Sequence, residues 1–237
     1  RSSDVEAEGV WVSGRELYSA LTEGEKNLIL DQLEVLQAQS NGKRIEEFVN
    51  FTATQNEYSK QLYQQFVALA TEVTKKPKPT VLVVTASGRD PYASVDFYVD
   101  LFKQVGAEPI WFPVNSAYQA AQNQADPVAA CADFLNILRK EQGTYQRGRI
   151  YPDLILKQKE FCTAGHKSAV AQLKRADAVF FSGGDQSLLL KALKNKDGTD
   201  TPELAQLRQM YERGEIIIAG TSAGTAVMAG GNYQGSS

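Results

Sequence analysis

Three short runs of apolar, largely β-branched residues constrain the fold of this chain most. They occupy residues 80–85, 176–181 and 215–220, and each is too uniformly apolar to alternate between core and solvent. Such runs are typical of strands buried on both faces of a parallel sheet. Helical patterns separate them, which predicts right-handed crossovers and a doubly wound, mostly parallel α/β sheet with helices on both faces. A further strand at 108–114 contains two prolines, which favour an edge position.

Residues 15–75 have a helical pattern instead. Residues 22–25 have capping-box spacing, and apolar residues then recur at helical intervals in two stripes: Ile29, Leu33 and Leu36, then Tyr58, Leu62, Phe66, Leu69 and Val73. We expect two amphipathic helices that form a segment at 1–78, packed on or inserted into an α/β domain at 79–237. A lid or a homodimer contact at the polar surface 61–65 is the alternative. Residues 141–162 and 194–201 are polar and predicted to be loops.

Composition excludes several classes of protein. The chain has 237 residues, is 43% hydrophobic and has a net charge of −3, so it lacks the basic field that drives nucleic-acid binding. No run approaches the roughly 18 apolar residues of a membrane span. The two cysteines, Cys131 and Cys162, form either one disulfide or two buried thiols, and their number favours thiols. A single histidine, His166, limits any histidine-based metal site to one imidazole.

The sequence GTSAG at residues 220–224 joins the last apolar run to a stretch of small residues. A Gly-x-Ser-x-Gly turn between a buried strand and a helix is typical of a nucleophile elbow, with the serine hydroxyl exposed at the carboxyl edge of the sheet. We therefore predict that Ser222 is a nucleophile and that the amide of Ala223 faces a developing oxyanion. A tight turn without catalysis is the alternative.

A second glycine turn, SGGDQ at residues 182–186, follows the strand at 176–181. Carboxyl ends of parallel strands meet at one edge of the sheet, where ligands bind in open α/β folds. Gly184 lets backbone amides approach a ligand, Asp185 caps the next helix, and Gln186 offers a donor and an acceptor. Neither turn has the spacing of a phosphate-binding loop.

The pair of motifs FSGGDQ and GTSAGTAVM resembles the cyanophycinase family of serine peptidases, and the likeness extends over about residues 79–231. That family is related to the aspartyl dipeptidases called peptidase E, and its fold resembles class I glutamine amidotransferases. The resemblance implies that Ser222 is the catalytic nucleophile and that Gly184, Asp185, Gln186 and Ala223 form the oxyanion and substrate site. It also implies a peptide-like polymer substrate, cyanophycin, cleaved to β-Asp-Arg dipeptides, with no metal and no cofactor.

The resemblance also implies a histidine and an acidic residue after the serine. Only 15 residues follow Ser222, and none is His, Asp or Glu. We therefore expect the catalytic base beyond Ser237 and expect His166 to be a surface or capping residue. The alternatives are another serine hydrolase, such as an esterase or an aspartyl dipeptidase, and an inactive binding homologue. Because the chain begins with Arg1, export to the periplasm or medium is favoured over the cytoplasm.

Overall fold

The computed structural model describes residues 5–7 and 10–229. Its six strands in this part of the chain form two sheets. They are β1 (Val5–Ala7), β2 (Val10–Val12), β3 (Thr80–Val84), β4 (Glu108–Trp111), β5 (Ala178–Phe181) and β6 (Ile217–Gly220). The first two strands pair antiparallel with each other, whereas the others form a four-stranded parallel sheet in the order β4-β3-β5-β6.

Twelve helices lie in the described residues, together with a short 3₁₀ turn at Phe51–Ala53. They are α1 (Gly14–Ala20), α2 (Glu23–Leu33), α3 (Glu57–Thr74), α4 (Val95–Gln104), α5 (Ser116–Gln122), α6 (Pro127–Ala132), α7 (Phe134–Gln142), α8 (Arg147–Ile150), α9 (Pro152–Leu173), α10 (Gln186–Leu193), α11 (Pro202–Glu212) and α12 (Ala223–Met228).

The parallel sheet is covered by helices on both faces, which confirms the predicted α/β fold. Successive strand residues point to opposite faces, so Val83 and Phe180 join one apolar cluster while Val84 and Phe181 join the other. Helices α3 and α4 supply the first cluster; the second includes residues of α5 to α7 and of α9 to α11. Strand β4 lies at the edge of the described sheet, as its prolines predicted.

The N-terminal segment is helical, but its predicted apolar stripes are wrong. The capping box at Thr22 and Glu25 is present, yet Leu33 is 72% exposed and Asp31 is the buried residue of α2. In α3 the buried residues are Phe66, Val67 and Ala70, whereas Tyr58, Leu62, Leu69 and Val73 are exposed. Helix α3 thus buries a different face from the predicted stripe, and the two share only Phe66. The domain boundary at residue 78 stays a prediction.

The segment predicted as a loop at 141–162 is mostly helical, and this prediction is wrong. Helix α9 has a buried stripe at Leu154, Ile155, Gln158 and Cys162, and the lysines and glutamate between them face outward. The buried position of Gln158 is polar and many neighbouring residues are charged, so the sequence shows no clear helical repeat of apolar residues. Gly165 (φ 70°, ψ −175°) interrupts the helix near its middle. The turn predicted at 194–201 is present.

The two cysteines form a disulfide, so the prediction of buried thiols is wrong. Cys131 and Cys162 are bonded across a sequence separation of 31 residues. The bond joins α6 to α9 within the second apolar cluster, and both cysteines are fully buried. Burial alone could not distinguish thiols from a disulfide, because buried cysteines occur in either state.

Candidate active site

Ser222 lies on a sharp turn between β6 and α12. Its backbone has φ 50° and ψ −117°, a conformation that a residue with a side chain rarely adopts. Holding a non-glycine residue there costs about 1–3 kcal/mol, and such strain is concentrated at functional sites. The residue is exposed at the carboxyl end of its strand. The turn therefore has the backbone form of a nucleophile elbow.

The two glycines of the elbow allow it to pack against β5. A Cβ at Gly220 would lie 2.7 Å from the carbonyl carbon of Gly224, and one at Gly224 would lie 2.3 Å from the carbonyl oxygen of Phe181. The obstructing atoms are backbone atoms, so a side chain could not displace them cheaply. Close packing thus requires glycine at positions 220 and 224, and the same packing fixes the position of the turn that carries Ser222.

The second glycine turn, residues 182–186, lies directly beside Ser222. Strands β5 and β6 are parallel neighbours, with Phe181 opposite Gly220. A Cβ at Gly183 would lie 3.1 Å from the Cβ of Ser222 and 3.7 Å from its Oγ. The side-chain-free surface of this turn, hereafter the Gly183 turn, therefore forms one wall next to the serine hydroxyl.

Several backbone donors are available at the two turns. The amides of Gly184 and Ala223 donate to no other residue in the described part of the chain. Gly184 is exposed and has φ 144°, which glycine alone adopts easily. The site residues anticipated from sequence at positions 184–186 and 222–223 thus lie on two adjacent turns at one sheet edge.

Asp185 caps α10 and carries a negative charge at this edge. Its carboxylate accepts a 2.7 Å hydrogen bond from the amide of Ser187. Hydrogen bonds from the hydroxyl and amide of Ser187 hold the pKa of Asp185 below its ordinary value. The side chain is exposed, so this carboxylate can meet a cation, whereas the neighbouring Gln186 is half-buried and uncharged.

Ser87, which the sequence analysis did not identify as a site residue, holds the Gly183 turn in place through hydrogen bonds. It follows β3 and is 1% exposed. Its Oγ lies 2.7 Å from the carbonyl oxygen of Ser182 and 2.9 Å from that of Gly183. Its own carbonyl accepts a 2.7 Å hydrogen bond from the amide of Asp185. The one sequence feature that could have identified Ser87 is its position just after β3, the strand that pairs with β5.

His166 belongs to a different cluster. It lies inside α9 and is half-buried, and its Nδ1 is 2.7 Å from Oε1 of the buried Glu203. Tyr118 donates a 3.0 Å hydrogen bond to the same carboxylate oxygen, and Gln119 donates to the other. None of these partners belongs to either glycine turn. Burial raises the pKa of Tyr118, and the neighbouring carboxylate adds to the effect.

No group of three or more His, Cys, Asp or Glu residues arranged to hold a metal ion occurs among residues 5–7 and 10–229. No helix in the same ranges is both long and apolar enough to cross a membrane.

Comparison with known proteins identifies similar sequences. Residues 131–236 match the model described as peptidase family S51. A cyanophycinase of Trichormus variabilis is 37% identical over 151 residues, which cover 64% of this chain and 35% of that protein. A cyanophycinase of Synechococcus elongatus is 38% identical over 91 residues, which cover 34% of this chain and 27% of the relative. The chain therefore spans about a third or less of the length of the curated relatives it matches.

Proposed function

Because residues 131–236 match the model of peptidase family S51, we propose that the protein is a serine peptidase that hydrolyses cyanophycin through an acyl-enzyme on Ser222. The observation that carries this proposal is the adjacency of the two turns. Ser222 has an elbow conformation beside the side-chain-free Gly183 turn. Relatives named cyanophycinase are 37–38% identical to parts of this chain. Cyanophycin is a polyaspartate with arginine on its side chains, so its amide bonds are of the kind that a peptidase hydrolyses.

The chemistry begins with attack of Ser222 Oγ on an amide carbonyl carbon of the substrate. The amides of Gly184 and Ala223, which have no other described partner, are the donors assigned to the oxyanion. Collapse of the tetrahedral intermediate breaks the C–N bond, and the leaving amine takes the proton that a base removed from the serine hydroxyl. Water then attacks the acyl-enzyme, which releases the carboxylic acid and restores the hydroxyl.

A base must accept the proton of Ser222, because a serine hydroxyl is a weak nucleophile near neutral pH. His166 is the one histidine of the sequence. Its imidazole is hydrogen-bonded to Glu203, which belongs to neither glycine turn. The resemblance to cyanophycinases assigns the base to a histidine that follows the serine. We assign no base within the described residues.

Substrate charge fits the exposed groups at this edge. Each repeat of cyanophycin carries an arginine guanidinium, and Asp185 provides an exposed carboxylate next to the proposed oxyanion site. A guanidinium and a carboxylate can pair through two parallel hydrogen bonds. Gln186, at the first position of α10, supplies an amide that can donate to a substrate carbonyl and accept from a guanidinium.

The full-length protein incubated with purified cyanophycin tests this proposal, with products analysed by mass spectrometry in the presence and absence of a chelator. We expect β-Asp-Arg dipeptides under both conditions. Ser222→Ala should reduce turnover by at least about 10³-fold, whereas Ser168→Ala, an exposed serine on α9, should not change it. Intact cyanophycin would contradict the proposal. Cleavage of simple esters or α-linked aspartyl dipeptides instead would establish a different serine hydrolase.

A further inference from the structure

The loop after β3, residues 85–90, supports the Gly183 turn at close range. We call it the β3 loop. A Cβ at Gly184 would lie 2.2 Å from the carbonyl oxygen of Ser87 and 3.0 Å from the amide nitrogen of Gly88. The two backbones therefore touch directly. Any shift of the β3 loop must be transmitted to the Gly183 turn, because no compressible side chain separates them.

The hydroxyl of Ser87 adds hydrogen bonds to this contact. Its single proton lies within reach of two carbonyl oxygens, those of Ser182 and Gly183, at 2.7 and 2.9 Å. Its Oγ also lies 3.2 Å from the Oγ of Ser182. A hydrogen bond that this proton shares between the two carbonyls constrains the peptide planes that precede Gly184. The direction in which the Gly184 amide points is thereby set, and Ser87 is too deeply buried to contact a substrate itself.

The β3 loop is in turn bound to the N-terminal segment by a buried ionic cluster. Arg89 donates to both oxygens of Asp31 on α2, at 2.9 and 2.8 Å, and also to the carbonyl of Gly143. Asp31 accepts a further 2.7 Å hydrogen bond from the amide of Tyr145 and faces Arg147 at 3.5 Å. Arg147 also pairs with Asp90 of the loop. Helix α2 is otherwise largely exposed, and Asp31 is its one buried residue. The carboxylate of Asp31 contacts Arg89 of the β3 loop, which supports the Gly183 turn.

We propose that Ser87 is a positioning residue that orients the Gly183 turn for catalysis, and that α2 acts through Asp31 to hold the β3 loop in that position. The inference rests on the proposed function for its catalytic readout. It gives the N-terminal segment a role distinct from a lid or a dimer contact.

The first test is Ser87→Ala in the full-length protein. We expect kcat for cyanophycin to fall by about 10- to 100-fold with KM nearly unchanged, because a misplaced donor weakens transition-state binding more than substrate binding. Ser116→Ala is the matched control. Ser116 is also buried, at 3% exposure, but its Oγ has no partner among the described residues, so kcat should stay at the wild-type value.

The second test is Asp31→Asn, which removes the charge while keeping the shape of the side chain. We expect a smaller fall in kcat, about 3- to 10-fold, in a protein that keeps its helical circular dichroism. Glu23→Gln is the control on the same helix, because Glu23 is exposed and pairs only with Lys26 in the described part of the chain. If Asp31→Asn fails to fold, Arg89→Lys replaces it, since lysine keeps the charge but loses the bidentate contact.

A covalent probe separates failure of this inference from failure of the proposed function. The rate at which a sulfonyl fluoride probe labels Ser222 depends on the local site and requires no knowledge of the substrate. Slower labelling of both Ser87→Ala and Asp31→Asn, with the controls unchanged, supports the inference even if cyanophycin is not cleaved. Unchanged labelling rate and kcat in a folded Ser87→Ala protein overturn it, and a lower melting temperature alone would show a purely structural role. If Ser87→Ala does not fold, the labelling rates and kcat values of Ser87→Cys and Asp31→Asn test the inference in its place.

Discussion

At the scale of single residues, close backbone contacts at the two turns determine which side chains are allowed. Gly224 and Gly24 are both helical glycines, yet their surroundings are opposite. The position of a Cβ is blocked by the Phe181 carbonyl oxygen at Gly224, whereas nothing lies within 4 Å of it at Gly24. This contrast provides a test of the packing that presents Ser222.

We expect Gly224→Ala to lower the free energy of unfolding by about 1–3 kcal/mol, because a methyl group must displace backbone atoms of β5. Gly24→Ala should be neutral or stabilising by up to about 1 kcal/mol, since alanine restricts the unfolded chain and favours the helix. Urea unfolding followed by circular dichroism measures both. Equal effects at the two positions would contradict the close contact described at Gly224.

The carboxylate of Glu203 provides a second test at this scale. Burial opposes its ionisation, but hydrogen bonds from His166 and Gln119 and the charge of His166 together hold its pKa below the ordinary value of 4.5. A carboxyl group with a lowered folded-state pKa contributes stability above its unfolded pKa and loses it as the pH falls through the folded value.

We therefore expect the free energy of unfolding of the wild type to exceed that of Glu203→Gln above pH 4.5. The difference should narrow as the pH falls below 4.5, with a slope of at most about 1.4 kcal/mol per pH unit for one proton. Denaturant titrations at a series of pH values measure it. A difference that is constant with pH would show that the carboxylate is not stabilised in its ionised form.

At the scale of elements, the helical layer around α9 was the hardest part to anticipate. Its buried side includes the amide of Gln158. This amide accepts a hydrogen bond from the side chain of Asn115 and donates one to the carbonyl of Pro113. A polar residue in a buried stripe breaks the hydrophobic period that identifies a helix from sequence. The β-strands were predictable because burial on both faces leaves no such ambiguity.

The disulfide should stabilise this layer by joining α6 to α9. Replacing both Cys131 and Cys162 with alanine should lower the free energy of unfolding by about 2–4 kcal/mol, because the unfolded chain gains the freedom of the opened loop. Denaturant unfolding with and without a reductant measures the effect. Reductant should destabilise the wild type and leave the double variant unchanged, and two thiols titratable in the unfolded, non-reduced wild type would contradict the bond.

At the scale of the whole molecule, the sequence predicted the sheet and its glycine turns but not the support behind them. Parallel strands β5 and β6 place residues 183 and 222 at one edge by topology alone, so their adjacency could be foreseen. The roles of Ser87 and Asp31 could not, because they depend on contacts between positions far apart in the chain. No sequence pattern links residue 31 to residue 89, and the roles proposed for Ser222, Gly184, Asp185, Gln186 and Ala223 remain predictions.

The central claim is that Ser222 is the nucleophile, and site-specific labelling tests it most directly. The full-length protein is treated with a sulfonyl fluoride probe, digested, and mapped by mass spectrometry. We predict one adduct, on Ser222, that is retained in His166→Ala, whose imidazole is engaged with Glu203, and is abolished in Ser222→Ala. An adduct on a different serine, or an unlabelled Ser222 in protein that still cleaves cyanophycin, would contradict the account.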